Sequence, residues 1–199
     1  ISGIFEMPIT DESYPFSSAE RYCHLSAKDY VEREYRVDGT ANVYRTADED
    51  GGVEVMTADA PYSNRIVVRA PKDPAQASGN VVVEIINPTS FMEIERMWIL
   101  GHGEFVRSGD IYVGITSKPN TIAKLKEFNP DRYAFMSWAN PTPERPFDFD
   151  PEQLVRDGAL PDMDISYETG LFWDMLTDLA WLLRGDRMVS VRRLSVPLL

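Results

Sequence analysis

Residues 79–116 read GNVVVEIINPTSFMEIERMWILGHGEFVRSGDIYVGIT, and this stretch decides the fold class. Val81 to Ile86 is a nearly continuous β-branched run, which is typical of a strand covered on both faces of a sheet. A helix is predicted from Met92 to Val106, and Asp110 to Thr116 forms a second strand of the buried type. The order strand, helix, strand with short links predicts a βαβ unit with a right-handed crossover. We therefore expect an α/β fold with a mainly parallel sheet and flanking helices.

The chain before this unit is predicted to be rich in β-structure. Residues 1–28 are predicted to be irregular, and Tyr30 to Val37 alternates large and charged residues as a half-buried strand does. Asp38-Gly39 is predicted to form a turn that leads into a second strand from Thr40 to Tyr44. A third strand is predicted from Asn64 to Arg69.

The last third of the chain is predicted to hold one long helix between two different segments. Residues 139–163 are rich in Pro, Asp and Glu, which predicts a surface excursion. The segment from Val189 to Leu199 resembles the start of another buried strand, and the chain stops inside it. We expect a single, incomplete domain with a β-rich extension over residues 1–75 and the first part of an α/β core over residues 76–199.

The long helix is predicted from Tyr167 to Arg184, with apolar residues at three- and four-residue spacing. Ser166 is the predicted N-cap, Glu168 places negative charge in the first turn, and Gly185 follows the far end. The apolar positions are Leu171, Phe172, Met175, Leu176, Leu179, Leu182 and Leu183.

Charge and composition exclude several classes of function. The 199 residues carry a formal net charge of −12, from 20 Lys and Arg against 32 Asp and Glu. Such a surface repels phosphate backbones and anionic lipids, so we expect neither a nucleic-acid partner nor a membrane partner. No apolar run approaches the roughly 20 residues that cross a bilayer. The first residue is Ile1 and no signal peptide is visible, so the localisation stays open.

Six segments of the chain, in a fixed order, resemble one known family. Together they cover the chain from about Phe16 to Leu194, and they resemble the large α/β-hydrolase-domain proteins, which are serine hydrolases of the esterase type. The segments are DYVEREYRVDGTANVY (29–44), APYSNRIVVRAPKDP (60–74), GNVVVEIINPTS (79–90), RSGDIYVGITSKP (107–119), LKEFNPDRYA (125–134) and GLFWDMLTDLAWLLR (170–184).

The resemblance implies a catalytic triad that this sequence does not contain. In that family the strand after the long helix leads into a G-x-S-x-G turn that carries the nucleophile, and the acid and His follow it. Val191 to Leu194 lies where that strand is expected to begin, but no G-x-S-x-G occurs anywhere in the chain. Ser195 has no flanking glycines, so it is not predicted to be the nucleophile. All three triad members are expected to lie beyond Leu199.

The resemblance also implies one catalytic element that this chain can hold. In α/β-hydrolases an oxyanion N–H comes from the loop after the third core strand, which Val81 to Ile86 resembles. The candidate residues are therefore Asn87, Pro88, Thr89 and Ser90. The alternative is structural: Asn87-Pro88 ends the strand, and Thr89 or Ser90 caps the following helix.

Other residues that suggest chemistry are explained more simply by structure. His102 lies in a predicted helix, and His24 is too far from it in sequence for a zinc site, so we expect no metal and no cofactor. Cys23 is the single cysteine, which excludes an internal disulfide and suggests a small packed side chain. Two acidic residues, Asp174 and Asp178, are predicted on the solvated face of the long helix. Two of its aromatic residues, Trp173 and Trp181, are predicted to pack.

Three hypotheses of function remain open from the sequence. The first is the N-terminal part of a hydrolase of ester-like or acyl bonds, inactive alone, whose small-molecule substrate binds once the missing part completes the site. The second is a non-catalytic binding module that retains half of a hydrolase fold, with an open strand edge that favours self-association. The third is a frameshifted or truncated product without a function of its own.

Overall fold

A five-stranded mixed sheet organises the part of the chain that the structure describes. The structure is a computed structural model, and it describes residues 1–14, 23–47, 51–143 and 166–184. The strands have the spatial order β1-β2-β3-β5-β4. Their bounds are Gly3–Met7 (β1), Tyr30–Thr46 (β2), Val53–Pro71 (β3), Val81–Ile85 (β4) and Ile111–Ile115 (β5).

Four α-helices accompany the sheet in the described residues. They are Arg96–Ser108 (α1), Pro119–Phe128 (α2), Pro130–Tyr133 (α3) and Leu171–Leu183 (α4). The chain runs from β4 through α1 into β5, and β4 and β5 pair in parallel with Val81 opposite Ile111. The predicted βαβ unit and the α/β class are confirmed. The pairs β1–β2, β2–β3 and β3–β5 are antiparallel, so the described sheet is mixed.

The prediction that residues 1–28 are irregular was wrong in part, because Leu25–Lys28 forms a short 3₁₀ helix and a strand forms near the start of the chain. Gly3–Met7 forms the edge strand β1, which pairs with β2 from Asp38 to Glu34. Its own sequence carries little strand signal, because only Ile4 is buried. The partner strand β2 supplies the hydrogen bonds that make this segment a strand, and such pairing is not visible in a five-residue pattern.

The predicted turn at Asp38-Gly39 was also wrong, because β2 continues straight through both residues. Asp38 accepts a hydrogen bond from Ser63 Oγ (2.6 Å) on the neighbouring strand β3. A Cβ atom at Gly39 would lie 2.6 Å from Tyr62 Oη, and Tyr62 is buried. The glycine therefore makes room for a tyrosine ring within the sheet, which is the other common use of glycine in a strand.

Two helices begin later than their patterns predict. Asn87 and Ile94 pair across the β4–α1 loop, which keeps the chain out of helical geometry until Arg96. Before α4, Tyr167 pairs with Ala139, and the helix begins at Leu171 with Gly170 as its N-cap. Ser166 therefore does not cap the helix.

Several predicted features lie partly or wholly outside the described residues. The excursion over residues 139–163 is described only as far as 143. The predicted strand from Val189 to Leu199 and the helix-ending Gly185 are outside entirely. The division at residue 75 stays a prediction. Where the chain is described, none of its helices has the length and apolar character needed to cross a membrane.

The two faces of the sheet are covered by different helices. Side chains alternate along β3, so Arg65, Val67 and Arg69 share one face, whereas Asn64, Ile66 and Val68 share the other. Helix α1 covers the first face, where Trp98 stacks on Arg69 (4.5 Å from guanidinium carbon to ring centre). Helix α4 covers the second, where Met175 Sδ lies 3.7 Å from Asn64 Nδ2. The first face buries charged residues, and the second holds most of the apolar core.

Candidate oxyanion-side loop and its buried anchors

The carboxyl ends of β4 and β5 meet at one edge of the sheet because these two strands are parallel. The predicted residues Asn87 to Ser90 follow β4 there, and Ser117 and Asn120 follow β5. Ser117 Oγ donates a hydrogen bond to Ile86 O (2.6 Å), and Asn120 Nδ2 donates to Pro88 O (3.4 Å). In open α/β sheets, ligands bind at this end of the strands. The two segments therefore form one polar edge at the expected place for a site.

The loop between β4 and α1 is closed on itself by hydrogen bonds. Asn87 N donates to Ile94 O (3.1 Å), and Ile94 N donates back to Asn87 O (2.9 Å). Between them, Thr89–Phe91 forms a 3₁₀ turn. The side chain of Asn87 is bonded to the first residue of this turn, since its Oδ1 accepts from Thr89 N (2.8 Å) and from Thr89 Oγ1. Asn87 thus ends the strand as predicted, whereas neither Thr89 nor Ser90 caps α1, which begins at Arg96.

Three of the four predicted oxyanion residues have no free amide hydrogen. The amide of Asn87 is bonded to Ile94 O, and the amide of Thr89 is bonded to Asn87 Oδ1. Pro88 has no N–H at all. Asn87, Pro88 and Thr89 are therefore excluded as oxyanion donors in this conformation of the loop.

The residue after Ser90 has an unusual backbone conformation. Phe91 has φ of 58°, in the left-handed region that non-glycine residues seldom occupy. Its side chain is 57% exposed, and that of Met92 is 41% exposed. Backbone strain of this kind costs about 1–3 kcal/mol and persists only where the surroundings impose it. The loop is therefore held in shape by something other than the local preference of its residues.

A fully buried arginine lies beneath the loop and contacts two carboxylates. Arg65 Nε bonds to Glu34 Oε1 of β2, and Arg65 Nη1 lies 2.5 Å from Glu93 Oε2 of the loop. The side chains of Arg65 and Glu34 are 0% exposed, and that of Glu93 is 2% exposed. Glu34 also binds Arg132 (Nη2–Oε2 2.5 Å) and accepts from Tyr133 Oη (2.9 Å).

A second arginine, four residues further along β3 on the same face, makes a matching set of contacts. Arg69 Nε lies 2.6 Å from Glu32 Oε2 of β2, and Arg69 Nη2 lies 2.7 Å from Glu95 Oε1 of the loop. Its guanidinium group also stacks on Trp98 of α1 and lies 5.2 Å from the ring centre of Tyr112 in β5. We call the sets Glu34–Arg65–Glu93 and Glu32–Arg69–Glu95 the two Glu–Arg–Glu triads.

The start of α1 is fixed by a buried carboxylate of β4. Glu84 accepts hydrogen bonds from Met97 N (2.9 Å) and Trp98 N (3.3 Å), which are free amides of the first helical turn. Tyr112 Oη donates to the same carboxylate (2.7 Å). A carboxylate at a helix N-terminus is stabilised by the helix dipole as well as by these bonds.

Burial and charge shift the pKa values of these groups in opposite directions. Burial raises the pKa of Glu93 above its usual range, in spite of the neighbouring Arg65. Burial also raises the pKa of Glu32. Although burial alone would raise the pKa of Glu34, the guanidinium groups of Arg65 and Arg132 lower it overall. In the first triad, Glu34 contacts two arginines and has the lowered pKa, whereas Glu93 contacts Arg65 and has the raised pKa.

The sequence analysis missed the triads, although the sequence contains a signal for them. The glutamates occur at alternate positions in residues 32–34 and 93–95, and the arginines of 65–69 are four apart in a strand. Charges of opposite sign at every second or fourth position of two strands indicate side chains that share one face of a sheet and contact each other. Ser117 and Asn120 could have been found from the rule that parallel strands end at one edge.

The two histidines and the cysteine considered in the sequence analysis lie away from the edge where β4 and β5 end. His102 Nδ1 lies 3.1 Å from Trp98 O within α1, as expected for a structural histidine. Together with Cys23 and His24 it lines a crevice of about 530 Å³ that reaches Arg107 near the far end of α1. Cys23 is buried, as predicted. The described residues contain no group of His, Cys, Asp and Glu that could hold a metal ion.

Two predictions for α4 are corrected by the structure. Asp174 is not simply solvated, because it accepts from Asn42 N (2.8 Å) and Tyr44 Oη (2.9 Å) and so fastens the helix to β2. Asp178 pairs with the amino group of Ile1 (2.8 Å). The two tryptophans predicted to pack, Trp173 and Trp181, are instead 65% and 46% exposed, because the apolar stripe that faces β2 is formed by the leucines and Met175.

Comparison with known proteins gives one finding. A family model described as "Alpha/beta hydrolase domain" matches residues 5–197. No curated protein and no solved structure matches the chain.

Proposed function

Because the chain belongs to the α/β-hydrolase domain family, we propose that it forms the oxyanion side of a serine hydrolase that cleaves ester-like acyl bonds. The observation that carries the proposal is the position of the loop of residues 86–95. This loop directly follows β4, at the edge where the parallel strands end. The family places an oxyanion donor in the corresponding loop.

The proposed donor is the amide of Ser90. When a serine oxygen attacks an ester carbonyl, negative charge develops on the carbonyl oxygen, and a preorganised N–H stabilises it. The amides of Asn87 and Thr89 are engaged within the loop, and Pro88 has none, which leaves Ser90. A donor of this kind contributes about 2.7–4 kcal/mol, or roughly 10²–10³ in kcat.

The nucleophile is not among these residues. The sequence contains no G-x-S-x-G, so the proposed reaction needs a Ser, an acid and a His that the 199 residues do not provide. In such a triad the His takes the serine proton and passes it to the leaving alcohol. We expect the purified 199-residue chain to show no turnover of 4-nitrophenyl acetate or butyrate. We also expect no stoichiometric adduct with a fluorophosphonate probe in intact mass spectrometry, and such an adduct on any serine would refute this part of the proposal.

The first experiment is to sequence the source DNA through and past the codon for Leu199 in all three frames. A coding sequence for G-x-S-x-G, followed by an acid and then His, provides the protein in which the donor can be tested. A stop without such a sequence downstream leaves the hydrolase proposal without a nucleophile.

In that longer protein, two substitutions at one position test the donor. Ser90→Pro removes the amide hydrogen and is expected to lower kcat by about 10²-fold or more, whereas Ser90→Ala keeps the hydrogen and is expected to leave kcat within a few-fold. Circular dichroism and the denaturation midpoint show whether either variant is unfolded. Equal kcat values for two folded variants would contradict the assignment of Ser90.

A binding module without catalysis is the second candidate, and the exposed tryptophans of α4 favour it. Trp173 and Trp181 are both exposed on α4, and an apolar patch that includes both would be of the kind that marks interaction sites in other proteins. Light scattering coupled to size exclusion, on the wild type and on the double variant Trp173→Ser with Trp181→Ser, separates the cases. Association that the double variant abolishes supports an interaction role, and a monodisperse wild-type monomer argues against self-association.

A further inference from the structure

The two Glu–Arg–Glu triads join three separate segments in the same order. In each triad the first glutamate comes from β2, the arginine comes from β3, and the second glutamate comes from the loop before α1. The arginines are four apart on one face of a strand, and the loop glutamates are two apart. The two triads therefore connect the loop to the central strands of the sheet at two points.

Net stability does not explain why the triads are charged. Moving a charged group from water into the interior costs several kcal/mol, and well-packed apolar residues of similar volume often replace a buried ion pair without loss. A guanidinium group, in contrast, offers donors in a rigid, planar fork that fixes the direction of each bound carboxylate. What the triads provide beyond an apolar core is a defined position for the groups they bind.

The part of the loop that they bind is next to the proposed donor. Glu93 and Glu95 lie on either side of Ile94, whose main chain forms both hydrogen bonds to Asn87. Between Asn87 and Glu93 the chain makes the 3₁₀ turn and places Phe91 in the left-handed region. Fixing the two glutamates therefore fixes the end of a short closed loop whose other end continues from β4.

We propose that Arg65 and Arg69 are positioning residues, which hold the loop of residues 86–95 in its closed conformation through Glu93 and Glu95. The arginines are themselves held from the opposite side by Glu34 and Glu32, so the loop is fixed relative to β2 and β3 and not only to its own ends. The geometric claim rests on these contacts, while its value for catalysis rests on the proposed function.

Amide hydrogen exchange of the 199-residue chain, followed by mass spectrometry, tests the proposal. Glu93→Gln and Glu95→Gln, singly and together, keep the side-chain shape but remove the charge that each arginine binds. We expect exchange in peptides from residues 86–95 to accelerate about 10-fold or more, while peptides from the central parts of β2 and β3 change less than about 2-fold. Glu104→Gln is the control, because Glu104 is exposed on α1 and contacts Arg107 and Ser108, which lie on the exposed side of the same helix.

Arg65→Lys distinguishes positioning from charge balance. Lysine keeps the positive charge but loses the fork that binds Glu34 and Glu93 together. We expect fast loop exchange in this variant as in Glu93→Gln. If Arg65→Lys protects the loop as well as the wild type does, or if loop and strand peptides accelerate in parallel in all variants, the positioning role is refuted.

The wild type alone provides a test that does not depend on a variant that folds. In exchange measured at rising urea concentrations below the transition, the loop amides are expected to open together with the β2–β3 amides, since the triads link them. Loop opening at a much lower free energy in the native protein would overturn the proposal. These results are independent of the oxyanion assignment, because a clamped loop whose Ser90→Pro variant keeps its activity would refute only the proposed function.

Discussion

Removing the carboxylate of Glu34 tests how much the buried charges contribute to folding. Glu34 is fully buried and accepts from Arg65, Arg132 and Tyr133. Glu34→Gln keeps the volume, but it replaces one acceptor oxygen with an amide nitrogen that faces guanidinium donors. The substitution therefore leaves Arg65 with the carboxylate of Glu93 but without that of Glu34, and it takes from Arg132 the carboxylate that it contacts in the described residues.

The magnitude follows from the burial of the partners that remain. Breaking a buried ion pair from one side costs about 3–5 kcal/mol, because the other charge stays in the interior uncompensated. Arg65 keeps one carboxylate and the Arg132 side chain is 12% exposed, so we expect the lower end, about 3 kcal/mol. For a chain of this size, each kcal/mol shifts Tm by about 2–4 °C, which gives a decrease of roughly 6–12 °C.

The pH dependence has a defined sign. Burial raises the pKa of Glu34 in the folded protein, but Arg65 and Arg132 together lower it overall. A lowered folded pKa gives stability that is present above the usual glutamate range and is lost as the pH falls through the folded pKa. The difference between wild type and Glu34→Gln is therefore expected to be constant near neutral pH and to shrink on acidification.

Urea denaturation followed by tryptophan fluorescence, at neutral pH and at several acidic values, measures both effects. The control is Glu127→Gln, since Glu127 forms an exposed pair with Lys124 and is expected to change the midpoint little. A Glu34→Gln protein within about 1 kcal/mol of the wild type at neutral pH would refute the reasoning. A deficit that grows on acidification would contradict the direction of the pKa shift.

Three further predictions concern single positions. Gly39→Ala is expected to lose about 1–3 kcal/mol in urea denaturation because its Cβ meets the buried Tyr62, whereas Gly103→Ala, with open space around it, is expected to gain roughly 0.5–1 kcal/mol. Glu84→Gln is expected to cost about 1.5–3 kcal/mol in the same assay, because its charged hydrogen bonds fix the start of α1. Cys23 is 7% exposed, so its thiol is expected to react with Ellman's reagent slowly in the native protein and rapidly in denaturant; rapid native reaction would contradict its burial.

The βαβ unit was predictable because its sequence signals are local and agree with one another. Val81 to Ile85 and Ile111 to Ile115 are apolar runs of strand length, and a helical segment of suitable length separates them. A parallel pair of strands needs such a crossover connection, so the strand, helix, strand order in the sequence agrees with the parallel pairing of β4 and β5. The cysteine prediction succeeded for a similar reason, since a lone cysteine is usually a small packed residue.

The features that could not be predicted depend on contacts between distant segments. Asp38-Gly39 is a good turn sequence, yet its partner strand continues opposite it and Tyr62 occupies the space that the glycine leaves. Amphipathic spacing places α4 against a neighbour, but it does not say which polar residues bind that neighbour, as Asp174 does. In each case the tertiary partner overrides the local preference.

The proposed site combines a strand that the local sequence predicts with buried ion pairs that only contacts between distant segments reveal. In the proposed hydrolase the oxyanion donor, the nucleophile and the base come from different segments, and their relative positions must hold to within about 0.5 Å.

A loop fixed only by its own hydrogen bonds keeps its shape but can still tilt as a unit about the end of β4. The two Glu–Arg–Glu triads remove that freedom, because they connect the loop to β3 at two points and through it to β2. The loop needs both triads, since one triad alone would still allow rotation about the line from β4 to the remaining contact. Because either single substitution already releases that rotation, the double variant Glu93→Gln with Glu95→Gln is expected to accelerate loop exchange by less than the product of the two single effects.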